Sequence, residues 1–384
     1  MYHKGGTPME FSYYLPVNLI FGAGKVNEAG RVTAKFGKRV LLVTGKNSTK
    51  KSGLLDRVAA TLQEEGLSYE VFDQVMQNPL TSTATTGAAL AREKNCDVVL
   101  GLGGGSIMDC AKAIAFMAVN DGDINDYIFN KKTSDKALPI VLIPTTCGTG
   151  SEGNGFAVLT NPENGDKKSL RCNAIIARAS IIDPACMLTM PKSILATVGF
   201  DAFCHCMEAY LSKITQPIVE TMCISGMELI AKYLLRAYED SQDMEAFEAL
   251  SLASTYGGMV IHSAGCVLPH GMEHPASGLK DIVHGKGLAA LTPVICDASY
   301  EAAPEKYALI SRILGGKDGA DCGDQIRRFL GWLDLQTGLA QLGIKESDIP
   351  WMALNCMKVS AAGIVNHPRI FSQEEIEELY RRAL

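Results

Sequence analysis

No stretch of this 384-residue chain reaches the ~18 consecutive apolar residues that a membrane-crossing helix needs. The opening MYHKGGTPMEFSYYLP is broken by Gly5, Gly6 and Pro8 and lacks the continuous apolar core of a signal peptide, so the chain is expected in the cytoplasm, with no membrane partner. Basic excess is missing too. The 36 Lys+Arg against 42 Asp+Glu leave a net charge of −6, which argues against nucleic acid as a partner and requires any phosphate binding to be local. The twelve cysteines form no C-x-x-C or zinc-ribbon pattern, the closest pair being Cys204 and Cys206, and they read as small reduced packing residues without chemistry. A Walker A loop, internal repeats and low-complexity segments are all absent, and the glycine turn at 103–106 does not follow G-x-G-x-x-G.

What is present is ordinary globular composition, 47% hydrophobic and 20% charged, long enough for two domains. Arg39 to Thr44 (RVLLVT), Asp97 to Leu102 (DVVLGL) and Pro139 to Ile143 (PIVLI) are short, rich in Val, Ile and Leu, and each runs into a turn-prone segment, as buried parallel strands do. After about Pro191 the texture becomes long amphipathic helices, with Ile224, Met227, Ile230, Ala231, Leu234 and Tyr238 on one face. The pattern predicts a Rossmann-like α/β domain with a parallel sheet over residues 1–190, then an all-α domain over 191–384, with the boundary near Asp183 to Ser193.

Two loops point to a nucleotide. Gly103-Gly104-Gly105-Ser106 ends one strand and turns directly into a helix, where free backbone N–H groups and the helix dipole favour a pyrophosphate; Ser106 also suits the N-cap. The segment PTTCGTGS (144–151) follows another strand and gathers hydroxyls and glycines on the same edge of the sheet. An acid that would bind a ribose 2′-hydroxyl is absent from Gly45-Lys46-Asn47-Ser48 after the first run, and Lys46, Lys50 and Lys51 stand close by, which favours NADP(H) over NAD(H).

Five of the seven histidines lie between His205 and His284. Asp201 and His205 are four residues apart, as are His270 and His274, which puts each pair on one helix face; His284 follows a Gly-containing break able to return it to the same centre. One carboxylate and three imidazoles out of these five suit Fe²⁺, with Zn²⁺ an alternative. His3, His262 and His367 read as incidental.

Together, Phe21-Gly22-Ala23-Gly24, Asn78-Pro79, GGGSIMDCAK, PTTCGTGSE, DAFCH, LPHGMEHP, IVHG and NHPR resemble the iron-containing (group III) alcohol dehydrogenases, with the dehydroquinate synthase-like fold, across nearly the whole chain. The resemblance implies that Asp201, His205, His270 and His284 are the metal ligands and that His274 lies beside them. It also implies cofactor contacts from Asn78, Gly104, Gly105, Ser106, Asp109, Thr145, Thr146, Thr149 and Lys168, and a specificity position at Gly45, where NAD-preferring relatives commonly carry Asp. Cys147 and Gly153 depart from what many members have. At least a homodimer is implied as well.

The expected reaction is hydride transfer between a small alcohol or aldehyde and the nucleotide, with His274 relaying the proton because an imidazole titrates near operating pH. The rival is a dehydroquinate synthase-like lyase that uses NAD and a divalent metal but keeps its redox change within one turnover.

Overall fold

The computed structural model describes residues 10–384, so His3 lies outside it. In chain order the strands are β1 (Asn18–Phe21), β2 (Arg39–Gly45), β3 (Ser68–Val75), β4 (Val98–Gly103), β5 (Ile140–Pro144), β6 (Phe156–Thr160), β7 (Lys167–Arg171) and β8 (Ala179–Ile182). Six of them form one parallel sheet in the order β1-β8-β5-β4-β2-β3. The three apolar runs are β2, β4 and β5 at its centre. Their side chains are buried on both faces, Leu41 and Val99 in one apolar layer and Val40, Leu42 and Leu100 in the other, which explains their continuous hydrophobicity. β6 and β7 form a separate antiparallel hairpin. The sequence reading omits this hairpin, because β7 (KKSLR) is mostly polar and looks like loop, which leaves the short run of β6 (FAVLT) without a visible partner.

The chain order reverses between β2 and β4, and there Thr44 donates its hydroxyl to the Leu102 carbonyl at 2.9 Å. Such a reversal opens a crevice at the carboxyl ends of the strands. Gly103 pairs opposite Pro144, and the Thr145 N–H donates to the Gly103 carbonyl at 3.1 Å, so the two candidate loops leave the sheet side by side. Helix α1 (Gly105–Met117) starts at once after β4. Its N-cap is Gly104, and Ser106 falls inside the first turn rather than at the cap expected for it.

The helical half contains α2 (Lys192–Leu211), α3 (Pro217–Glu239), α4 (Met244–Ala264), α5 (Leu268–Lys280), α6 (His284–Ser299) and α7 (Ile349–Val359). By length and hydropathy α2 resembles a membrane span, yet almost all of it is buried against α3, α4 and α6, and it carries Asp201, His205 and Glu208. The buried face of α3 includes the expected Met227, Ile230 and Leu234, together with Cys223 and Ala237. The last sheet strand ends at Ile182 and α2 begins at Lys192, with Asp183 capping the link by accepting from Ala185 N at 3.1 Å and Val26 N at 3.0 Å.

Candidate active site

Three helices bring four side chains together. Asp201 and His205 sit one turn apart on α2, His270 lies in the first turn of α5, and His284 opens α6 after a turn through Asp281, whose φ is 50°. The Nε2 atoms of His205, His270 and His284 lie 3.5, 3.3 and 3.5 Å from Asp201 Oδ1. Asp201 Oδ1 and His270 Nε2 are buried and have no hydrogen-bond partner among the described residues. Orphaned buried polar atoms are costly, but two ligands about 2.1 Å from one ion and about 100° apart would themselves be about 3.2 Å apart. The donor set therefore fits a divalent cation. Burial pushes the Asp201 carboxyl up, and the imidazoles of His205, His270 and His284 outweigh that, holding it well below the usual carboxylate range.

Two buried glutamates that the sequence reading passes over orient these imidazoles. Glu208 Oε1 lies 2.6 Å from His270 Nδ1, while its Oε2 accepts from Val267 N at 2.8 Å. Glu273 is paired with His284 Nδ1. Each carboxylate fixes the Nδ1 proton and leaves the Nε2 lone pair facing Asp201. A signal for both exists: each Glu stands three residues after a ligand histidine on the same helix, hence on the same face. Cys266, given no chemistry from sequence, sits where its sulfur, His205 and His270 offer donor atoms within 4.8 Å of one another.

His274 lines the cavity beside these ligands, its ring centroid 6.2 Å from that of His270 and 6.0 Å from that of His284. Burial, with the Lys167 charge next in importance, lowers its pKa well below the ordinary histidine value. His262 and His367 lie outside the cluster, with Ser299 Oγ 2.9 Å from His367 Nε2.

The nucleotide cleft adjoins this centre. Gly104, Gly105, Ser106, Thr146 and Thr149 line a cavity that ends at Asp201 and His284, and Thr145 lines its continuation past Ser48 and Thr49. Glycine at 105 is required by space: a Cβ there would lie 2.3 Å from Thr149 Cγ2. The N–H groups of Gly105 and Ser106 precede the first hydrogen bond of α1 and are free for an anion.

Other expected contacts land differently. Lys168 points out of the cleft and donates to the Val359 carbonyl at 2.7 Å; its neighbour Lys167 lines the cavity, since adjacent strand residues face opposite ways. Asn78 reaches the cleft, but its Oδ1 accepts from Lys167 at 2.9 Å and its Nδ2 donates to Asp281 at 2.7 Å and to the Ile282 carbonyl at 3.2 Å, so it ties the hairpin to the His284 turn. The Asp109 carboxylate accepts from Ser151 Oγ at 2.5 Å and Val158 N at 2.9 Å. Lys112, fully buried on the same helix, donates to the Ser151, Asn154 and Phe156 oxygens, and burial lowers its pKa to about 8. Gly45 ends β2, where a Cβ would meet only Ile107 at 3.4 Å and the Val75 carbonyl at 3.6 Å. Of the lysines nearby, Lys50 is paired with Asp73 and Lys46 is exposed.

Residues 16–184 match the family model of iron-containing alcohol dehydrogenases, and residues 195–384 match the model of that family's C-terminal region. The chain belongs to the iron-containing alcohol dehydrogenases. This dehydrogenase is 33% identical over 383 residues to 1,3-propanediol dehydrogenase of Klebsiella pneumoniae, covering 97% of this chain and 98% of the relative. It is 29% identical over 381 residues to the NAD-dependent methanol dehydrogenase of Bacillus methanolicus, covering 97% and 100%. A crystal structure of an archaeal halo-thermophilic alcohol dehydrogenase from a Red Sea brine pool superposes with a TM-score of 0.94 at 34% identity, covering 98% and 100%. The dehydroquinate synthase-like lyase gains no support from these matches.

Proposed function

We propose that this dehydrogenase interconverts a small alcohol and its aldehyde, with Fe²⁺ held by Asp201, His205, His270 and His284 (Zn²⁺ an acceptable substitute) and NADP(H) preferred over NAD(H). It acts in the cytoplasm as a homodimer or higher homo-oligomer. The observation that carries the reading is the convergence of three imidazole nitrogens on Asp201 at the end of the cleft lined by Gly105, Ser106 and Thr149.

Bound there, a divalent ion would polarise the substrate oxygen, and the nicotinamide would exchange hydride with the adjoining carbon. The chain supplies the rest. Glu208 and Glu273 hold the His270 and His284 rings in place. The N–H groups of Gly105 and Ser106 receive the pyrophosphate, and Phe156, Val158 and Ile261 give the cavity an apolar wall that excludes water. His274, which borders the cavity beside these imidazoles, relays the proton of the substrate oxygen; burial and the Lys167 charge make it a weaker base than the ordinary imidazole expected from sequence, so it hands the proton on rather than holding it.

The NADP(H) preference is supported by the missing carboxylate at Gly45 and by Lys46, though the pairing of Lys50 with Asp73 weakens it. The test is a steady-state comparison of NADPH and NADH with an aldehyde panel on iron-loaded enzyme. Wild type should favour NADPH, and Gly45→Asp should shift the ratio of kcat/KM values towards NADH by on the order of tenfold through repulsion of the 2′-phosphate. An unchanged ratio would remove the assignment.

A further inference from the structure

Beyond the metal-binding side chains, one wall of the cavity is the β6–β7 hairpin. Lys167, Ser169 and Arg171 alternate along β7 on the face that lines the cavity. Leu170, on the other face, is buried in the apolar core. The hairpin is firmly set, since Val158 N donates to Asp109 and the Phe156 carbonyl accepts from Lys112.

The three polar residues of this face differ in one respect. Lys167 is engaged, donating to Asn78 and lying 3.7 Å from Glu273 Oε2. Ser169 is only 7% exposed, and its hydroxyl has no hydrogen-bond partner among the described residues. Arg171 is solvent-exposed at the rim of the cavity, stacks its guanidinium on Phe156, 4.5 Å from the ring centroid, and among the described residues forms no salt bridge. Residues 1–9 contain no Asp or Glu that could supply one. The other acids lining the cavity are committed, Asp109 to Ser151 and Val158, and Asp201 to the three imidazoles and the ion they fit. An arginine and a hydroxyl, two residues apart on one strand face, are thus left without an anion beside the reacting centre. Gly105, Ser106 and Thr149 border both this cavity and the nucleotide cleft, but the cleft runs away from the hairpin along Gly104, Thr146, Ile194 and Val198, and neither Ser169 nor Arg171 lines it.

We propose that the substrate is a short aldehyde or alcohol carrying a carboxylate, sulfonate or phosphonate at the end remote from the reacting carbon, and that Arg171 and Ser169 receive that anion. The planar guanidinium presents several N–H donors that match such oxyanions, and the Phe156 ring beneath restricts its motion. The reaction is unchanged: hydride passes from nicotinamide to the aldehyde carbon, one proton goes to its oxygen, and the nucleotide is oxidised. The inference rests on the oxidoreductase reading above.

The test uses metal-loaded full-length enzyme with two four-carbon aldehydes that differ in charge, butyraldehyde and succinic semialdehyde. Sulfoacetaldehyde and phosphonoacetaldehyde distinguish the kinds of anion. Wild type should prefer at least one anionic aldehyde. Arg171→Met should lower the ratio of kcat/KM for that substrate to kcat/KM for butyraldehyde by on the order of 10- to 100-fold, the range expected for losing a hydrogen-bonded charge pair. Arg171→Lys, which keeps the charge and loses the fork, should fall between. A wild-type preference for butyraldehyde, or a ratio that Arg171→Met leaves unaltered, overturns the proposal while leaving the dehydrogenase reading intact. If no aldehyde is reduced, that reading fails, and titration calorimetry with succinate then decides the anion site alone: binding lost in Arg171→Met supports it, and no binding to wild type overturns it.

Discussion

At the scale of single residues, the centre is held by side chains that never touch substrate. Glu208 is fully buried on α2 and serves both the His270 ring and the backbone N–H of Val267. Glu208→Gln keeps the shape and removes the charge that fixes the Nδ1 proton. Metal affinity should fall by roughly 10- to 100-fold, the usual cost of losing a partner behind a ligand histidine. Competition with a chromophoric chelator reads this directly, and an unchanged affinity would mean that backbone geometry alone orients His270. Residue type and helical spacing make Asp201, His205, His270, His274 and His284 visible in the sequence as candidates, and the family resemblance sets His274 apart from the other four. For Glu208 and Glu273 the sequence carries only their spacing three residues after a histidine, and because a glutamate in a helix normally faces solvent, it is burial that singles these two out. Lys167 and Lys168 teach the same lesson in a strand, where adjacent residues face opposite ways and the choice between them needs the register of β7 against β6.

At the scale of elements, the C-terminal segment is joined to α6 by a histidine read from sequence as incidental. His367 is buried beside Ser299, the last residue of α6, and burial lowers its pKa to about 3. A base whose folded pKa is depressed is held neutral in the native state. The unfolded chain therefore binds the extra proton between pH ~6.5 and ~3, so stability is complete above ~6.5 and is lost as pH falls towards 3. At pH 5 the loss from this group is about 2 kcal/mol. His367→Asn should have a Tm that varies less between pH 7 and pH 5 than wild type, even if it starts lower. Calorimetric scans at the two pH values check this, and parallel pH slopes would contradict it. β2, β4 and β5 are legible in sequence because strands buried on both faces are apolar without interruption. The β6–β7 hairpin is not, because one of its faces is a cavity wall made of Lys167, Ser169 and Arg171.

At the scale of the whole molecule, the four side chains proposed to bind the metal come from three helices that belong to two apolar clusters. α2 contributes to the cluster shared with α3 and α4, while α5 and much of α6 pack with α7. An ion there ties the two together. Its removal should lower Tm beyond any local effect, because an ion present at about 1,000 times its dissociation constant stabilises the native state by roughly 4 kcal/mol. Scanning calorimetry with and without a chelator, followed by reloading with Fe²⁺ or Zn²⁺, measures it. Equal Tm values would show that the helices hold the centre without the ion. The amino-acid order by itself determined the alternation of strand and helix, the glycine turns that leave backbone free for phosphate, and five candidate metal-ligating side chains, Asp201, His205, His270, His274 and His284. These follow from local periodicity and from what each side chain can do. Only the tertiary structure decided that Glu208 and Glu273 stand behind the imidazoles, that Asn78 and Asp109 spend their polar atoms on the scaffold, and that Arg171 is left facing the cavity without a counter-ion. Each of these depends on which distant segments meet, and no local pattern encodes that.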